Sequence, residues 1–270
     1  MPVPLDLDRI VRETWIASAE HHEEIDSTND RAKRSAVEFF RASRDDRPAL
    51  PRLIIADRQT MGRGRGSNRW WTGDGALALT VLVDLQQHAI PIRQAPLLAI
   101  TAGVALWKTT HHTLRDMFMA EMIHLHWPND IYVGDSKLAG ILIELVSSRY
   151  AAIGIGVNLN NDVEKLPEEV RCRKIVSLKD LLGETIVLNE YSTSLMLNLE
   201  EAISVLKQEP HILTKVANRL CYQSYSTIRV TDGERTSVGT CLGINENGGL
   251  LLETKSGIET FMAGTTEILD

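Results

Sequence analysis

Between Ile123 and Leu159 four apolar runs follow one another with only short turns between them: Ile123–Trp127, Ile131–Val133, Leu138–Val146 and Ala151–Leu159. Each is short and rich in Ile, Leu and Val, so each reads as a strand. The Gly134-Asp135 pair predicts a hairpin between the second and the third. Helical spacing of apolar residues falls outside this group, over 92–109 before it and over about 189–207 and 211–220 after it. Strands bunched apart from helices predict an α+β body and argue against a doubly wound sheet, where the two alternate.

The rest of the chain fits around that body. Leu53–Ala56 and Ala76–Leu85 read as two further buried strands. Asp26-Ser27-Thr28-Asn29 supplies N-cap side chains for a helix reaching about Phe40. Arg44-Asp45-Asp46-Arg47-Pro48 reads as a surface loop, and residues 1–25 are polar and too short for an independent domain. The last fifty residues change character. Ser226–Val230, Thr236–Ile244, Gly249–Thr254 and Ile258–Met262 are short strands joined by Asp232-Gly233, Asn247-Gly248-Gly249 and Ser256-Gly257, the pattern of a small appended barrel.

Composition removes other classes. No apolar run approaches the ~18 residues of a membrane span. The early acids of MPVPLDLDRIVRETW are not those of a signal peptide. Cys172, Cys221 and Cys241 are odd in number and far apart, which predicts no disulfide framework and fits a reducing cytoplasm. With 29 Lys+Arg against 36 Asp+Glu the net charge is −7, which argues against a protein that coats nucleic acid.

Four segments carry chemistry. In Gln59-Thr-Met-Gly62-Arg63-Gly64-Arg65-Gly66-Ser67-Asn68-Arg69-Trp70-Trp71, alternating glycines permit tight turns and close approach to a ligand. The arginines offer planar forks for carboxylate or phosphate oxygens, and the tryptophans can close over a ring. A flexible surface loop or an RNA-binding Arg-Gly segment has the same composition. Its place between two buried strands of an acidic protein favours the ligand loop. His126-Trp127-Pro128-Asn129-Asp130 ends a strand in a turn that aims Asn129 and Asp130 at one point, although Pro-Asn-Asp is also an ordinary turn. Lys137 opens the apolar strand Lys137-Leu-Ala-Gly140-Ile-Leu-Ile-Glu144, either marking the strand end or neutralising phosphate charge. Gly154-Ile-Gly156-Val-Asn158 lacks the dinucleotide-binding spacing, yet two glycines within a strand imply that something comes close to the backbone. His124 and His126 share a strand face without a third ligand nearby, and are read as packing or surface residues.

Taken in order, Ser27-Thr28-Asn29, Gln59-x-x-Gly62-Arg63-Gly64-Arg65, Trp127-Pro128-Asn129-Asp130, Lys137-Leu-Ala-Gly140 and Gly154-x-Gly156-x-Asn158 closely resemble the biotin–protein ligases over roughly residues 25–160. The tail Gly243-Ile-Asn-Glu-Asn-Gly-Gly-Leu-Leu-Leu252 resembles their SH3-like C-terminal domain. The resemblance implies a mixed-sheet α+β catalytic domain of the class II synthetase-like type over 1–222 and a small SH3-like β-barrel over 223–270. It implies an ATP- and Mg2+-dependent ligase that makes biotinyl-5′-AMP. The biotin then passes to a lysine of a biotin carboxyl carrier domain such as that of acetyl-CoA carboxylase. Ser27, Thr28, Asn29 and Gln59 would surround biotin, joined by Arg63, Gly64, Arg65 and Lys137 at its carboxylate. Lys137, Arg63 and Arg65 would be catalytic, and Arg65, Trp70, Asn129, Asp130 and Asn158 would face the nucleotide; the metal ligands are not assigned. A lipoate or octanoate transferase of the same fold, or a non-catalytic biotin-binding regulator, are the alternatives. Retention of Lys137 and the loop arginines speaks against the regulator. His126 stands where the family has lysine, and Gly66-Ser67-Asn68 replaces its second Arg-rich step. The short segment before residue 25 leads to the expectation of a monofunctional cytoplasmic enzyme without a winged helix, a nucleic-acid partner or a membrane partner. Pairing of sheet edges allows a homodimer.

Overall fold

The structure, a computed structural model, describes residues 5–41, 48–114, 118–167 and 174–269. Cys172 and nearly all of the loop expected at 44–48 lie outside the described residues.

The chain opens with helix α1 (Leu7–Glu13), strand β1 (Ser18–Ile25), helix α2 (Thr28–Arg41), strand β2 (Arg52–Gln59) and strand β3 (Leu77–Asp84). The long helix α3 (Leu97–Thr113) follows, then β4 (Ile123–His126), β5 (Asp130–Val133), β6 (Ser136–Leu145) and β7 (Tyr150–Val157). These strands form one seven-stranded sheet in the order β1-β2-β3-β7-β6-β5-β4. Only β1 and β2 run parallel, because α2 supplies the crossover that a parallel pair needs. The rest is antiparallel, with the 134–135 turn joining β5 to β6 and Gly134 at φ 58°. The sheet is therefore mixed, as the family resemblance implies.

Side chains alternate across this sheet. Leu53, Ile55, Leu79, Val81, Ile153 and Ile155 enter the main core with α3 and with α5 (Leu188–Gln208) and α6 (Pro210–Leu220). Helix α3 is apolar nearly all round because it is sandwiched, and Thr101 and Thr109 hide their hydroxyls on the carbonyls of Leu97 and Ala105. On the other face Ile54, Leu82 and Ala152 pack under Ala32, Ala36 and Phe39 of α2. Beyond that helix the face is lined by small residues. Register places Ala78, Gly156 and Gly140 side by side and Asp130 next to Gly140, a shallow floor across four strands.

The last segment forms a second, antiparallel sheet of β8 (Thr227–Asp232), β9 (Arg235–Ile244), β10 (Leu250–Thr254), β11 (Gly257–Phe261) and β12 (Thr265–Ile268), ordered β11-β10-β9-β8-β12. Ile228, Val230, Leu250, Leu252 and Phe261 join the same core cluster as α3 and α5.

Four elements went unforeseen. The edge strand β1, SAEHHEEI, has no apolar alternation and takes its shape from pairing with β2. Helix α1, seven residues long, is about two turns, with the Asp6 carboxylate accepting from the Arg9 N–H at 2.9 Å. Helix α4 (Leu178–Leu182) is held by a Ser177–Asp180 capping box and stopped by Gly183 at φ 73°. Strand β12 pairs with β8 alone. Among the described residues no helix is long and apolar enough to cross a membrane.

Candidate functional site

A cleft of about 970 Å3 opens over the small-residue floor, and every residue that the family resemblance assigned to biotin or the nucleotide lines it: Ser27, Thr28, Asn29, Gln59, Arg63, Gly64, Arg65, Trp70, Asn129, Asp130, Lys137 and Asn158. Segments far apart in the chain, from Ser27 to Asn158, thus share one cavity. Its two ends differ.

At the first end the N-terminus of α2 meets β2, β3 and β6. The backbone and hydroxyl of Thr28 donate to Gln59 Oε1 at 2.9 and 3.1 Å, and Gln59 Nε2 donates to Thr72 Oγ1 at 3.1 Å. Thr80 Oγ1 lies 2.8 Å from Thr28 Oγ1 and donates to Asn29 Oδ1 at 2.6 Å. Asn29 Nδ2 in turn donates to Glu144 Oε2 at 2.8 Å. A Cβ at Gly154 would fall 2.3 Å from Asn29 Oδ1, so glycine is required for this amide to reach the sheet. Arg63 then bridges Asp30 and Glu144, 2.8 Å from each, while Lys33 lies 2.7 and 3.0 Å from the same two carboxylates. Burial alone would raise the pKa of Glu144, but hydrogen bonds from Asn29, Lys33 and Arg63 outweigh it and hold the group below its ordinary value.

At the second end the charges are less compensated. Lys137 Nζ lies 2.6 Å from Asp130 and 5.9 Å from the centroid of Trp70. The Trp70 ring rests on the floor, where a Cβ at Gly156 would fall 2.3 Å from it. Its indole N–H is shielded from solvent and has no hydrogen-bond partner among the described residues. Arg65 makes no ion pair among the described residues; its burial lowers its pKa, against the pull of Asp130 and Asp232. A half-buried guanidinium and an orphaned indole donor are groups that an anionic ligand would complete.

The loop between the two ends is a hairpin closed on itself. Arg63 and Arg69 form a β-bridge, Gly64 N–H donates to the Asn68 carbonyl at 2.8 Å, and Trp70 N–H donates to the Gly62 carbonyl at 3.0 Å. The Gly64 N–H is therefore engaged within the loop. Asn129 also turns inward, donating to the Ile141 carbonyl at 2.6 Å and fixing the turn on β6. Asn158 is buried and accepts from Asn161 Nδ2 at 3.1 Å. His126 stacks on Tyr132, centroids 4.7 Å apart, and His124 packs on Tyr222 at 5.3 Å. Among the described residues no three His, Cys, Asp or Glu side chains cluster as metal ligands.

Several participants escaped the sequence reading. Glu144 lies four residues from Gly140, on the same face by the period of two. Asp30 and Lys33 follow the Ser-Thr-Asn motif at the i,i+3 spacing of a first helical turn. Thr80 is the only hydroxyl in LALTVLVD, a polar atom that a buried strand keeps for a reason. The lining at 231–233 and 264–266, from the second sheet, had no signal at all.

A mixed sheet bearing a cleft over a small-residue floor, lined by arginines and a lysine and closed on one side by a small antiparallel sheet, defines an α+β protein whose cavity is suited to an anionic ligand. The sequence pattern of the Biotin/lipoate A/B protein ligase family matches residues 25–160, half of the chain, and that of the biotin protein ligase C-terminal domain matches residues 226–268. The chain belongs to that ligase family. It is 29% identical over 225 residues to the bifunctional ligase/repressor BirA of Bacillus subtilis, covering 80% of this chain and 66% of that relative's length. It is 29% identical over 213 residues to the biotin–[acetyl-CoA-carboxylase] ligase of Mycobacterium tuberculosis, covering 78% of this chain and 77% of the relative. The fold is shared with a biotin protein ligase from Aquifex aeolicus in complex with biotin and ATP, at a TM-score of 0.75 and 23% identity over 93% of this chain and 99% of that one.

Proposed function

We propose that the chain is an ATP-dependent biotin–protein ligase. The observation that carries this reading is the joining, in one cleft, of a fully wired amide and hydroxyl end to a cationic end. A ureido ring wants paired donors and acceptors, and a carboxylate beside a triphosphate wants positive charge. In the first step a biotin carboxylate oxygen attacks the α-phosphorus of ATP, the bond to the β-phosphate breaks, and pyrophosphate leaves. In the second an acceptor lysine amine attacks the acyl carbon, AMP leaves, and the nitrogen loses a proton. Ser27, Thr28, Asn29 and Gln59 are our choice for the biotin end. Lys137 and Arg65 would hold the two anions together, Arg63 would latch the loop beside them through Asp30 and Glu144, and Trp70, Asn129, Asp130 and Asn158 would bound the nucleotide. Magnesium enters this reading on the phosphates of ATP, since Mg2+ needs only one or two carboxylates plus phosphate oxygens, and Asp130, now paired with Lys137, would supply one. We assign 1–222 to the ligand-activating unit and 223–270 to a second unit. The acceptor is read as the biotin carboxyl carrier domain of a carboxylase, and the setting as the cytoplasm, where ATP is abundant and the free thiols of Cys221 and Cys241 persist.

The test is direct. Incubated with biotin, MgATP and a candidate carrier domain, the chain should add one biotinyl group to one acceptor lysine, read by intact-protein mass. Addition of lipoate in place of biotin in the parallel reaction would overturn the choice of acid, and no addition of either would overturn the ligase reading.

A further inference from the structure

Trp127 is almost wholly buried at the start of the turn that carries Asn129 and Asp130, and both of its polar anchors come from beyond residue 222. Its indole N–H donates to the Gly248 carbonyl at 2.9 Å. Its backbone is gripped by one side chain, Gln223, which is fully buried. Gln223 Oε1 accepts from the Trp127 N–H at 3.1 Å and from Cys221 Sγ at 3.4 Å. Gln223 Nε2 lies 3.1 Å from the Trp127 carbonyl, 3.1 Å from His126 Nδ1 and 3.0 Å from Thr266 Oγ1 on β12. A backbone N–H can only donate, so the amide orientation is fixed by Trp127 itself. Gln223 thus does for Trp127 what a neighbouring strand would, while its other contact reaches the second sheet.

We infer that Gln223 is a positioning residue through which the second sheet sets the 127–130 turn for the adenylation step. The inference rests on the ligase reading above. The turn passes this registration on within three residues: Asn129 locks to Ile141, and Asp130 meets Lys137 at 2.6 Å. A shift of about 1 Å in a group that positions reacting atoms costs roughly 10²-fold in rate. The first end of the cleft, built on α2, β2, β3 and the Glu144 end of β6, has no hydrogen bond to Gln223 among the described residues, so biotin binding should follow this turn far less than adenylation does.

The hydrogen-bond chemistry gives a second handle. Gln223 Nε2 has two protons for three acceptors, so beyond the Trp127 carbonyl it donates to His126 Nδ1 or to Thr266 Oγ1. In Gln223→Glu the carboxylate would face the Trp127 carbonyl, which can only accept, and repel it. Burial raises the pKa of such a carboxyl. Protonated, it donates again.

The test uses the full chain, with biotinyl-adenylate formation and biotin binding measured side by side. Gln223→Ala should lower kcat for the adenylate by about 10- to 100-fold while the biotin Kd stays within about twofold. Gln223→Glu should be poor at about pH 8 and recover toward about pH 6, where the wild type gains nothing. Thr266→Val, which cuts only the link to β12, should fall between wild type and Gln223→Ala. Should Gln223→Ala fail to fold, the pH profile of Gln223→Glu and the rate of Thr266→Val decide. Wild-type kcat in Thr266→Val and Gln223→Ala, or a Gln223→Glu deficit independent of pH, overturns the inference. A wild type that forms no adenylate overturns the ligase reading and this inference together, and the two failures are thereby distinguished.

Discussion

The two ends of the cleft were built by opposite rules. Around Asn29 the amides and hydroxyls have their partners: Thr80, Gln59, Thr72 and Glu144 close a network in which burial is compensated, and Arg63 and Lys33 are balanced by Asp30 and Glu144, although Arg63 Nε has no hydrogen-bond partner among the described residues. Around Trp70 the indole N–H has no partner among the described residues and Arg65 has no carboxylate in hydrogen-bonding contact among them. The difference teaches where binding and chemistry divide. A pre-wired end holds a neutral polar ring with little reorganisation, whereas an end with uncompensated cation is stabilised only when an anion arrives.

If that division holds, removing charge from the second end should harm chemistry far more than binding. Lys137→Ala is expected to lower biotinyl-adenylate formation by about 10²- to 10³-fold, since the lost interaction strengthens as charge develops. Biotin affinity, followed by calorimetry, should change by only a few-fold. Equal losses in both would erase the distinction between the ends. The converse variant is Thr80→Val, which leaves Asn29 Oδ1 without its 2.6 Å donor. Leaving a buried acceptor unsatisfied costs about 1–3 kcal/mol, so a drop in Tm and a weaker biotin Kd should appear together. Wild-type biotin affinity in Thr80→Val would mean that the first end is merely core. Arg63→Gly should act more subtly. It frees the loop from Asp30 and Glu144, and we expect activated biotin to escape and label bystander lysines within a few-fold of the normal total rate. Labelling confined to one acceptor lysine would show that the loop needs no such latch.

How much of this was legible beforehand follows the same division. The buried strands β2, β3, β6 and β7 and the sandwiched helix α3 announce themselves by apolar content, because a core element has no other way to be buried. The motif residues line one cavity, and Gly154 and Gly156 in a strand do have close neighbours. What comes close, though, is the protein's own Asn29 and Trp70, and no local pattern distinguishes a ligand from a side chain arriving from 85 or more residues away. The edge strand β1 and the partners Glu144, Asp30 and Gln223 were illegible for the same reason. Their roles depend on which segments the topology juxtaposes, not on neighbours in sequence.

The smallest expected effect tests whether the first end is held by ionised carboxylates. Glu144 is kept below its ordinary value of 4.5, while Lys33 and Arg63 are both shifted upward and remain charged. A carboxylate with a depressed folded-state pKa contributes stability that is fully present above its unfolded value and is lost as pH falls through the folded one. Wild type should therefore be more stable than Glu144→Gln at about pH 7, and the gap should close below pH 4.5. Because Lys33 and Arg63 are about a third exposed, at 32% and 37%, solvent screens the pairs and the gap at neutral pH should be modest. Comparing the two proteins, not following wild type alone, removes the contribution of other acid-sensitive carboxylates such as Asp26, held at about 2 by Arg34. Melting curves of both from about pH 7 to about pH 3 give the answer. A gap that persists undiminished into acid would mean that the Glu144 side chain stabilises the cleft by shape and not by charge, and the contrast between a balanced and an unbalanced end would lose its electrostatic basis.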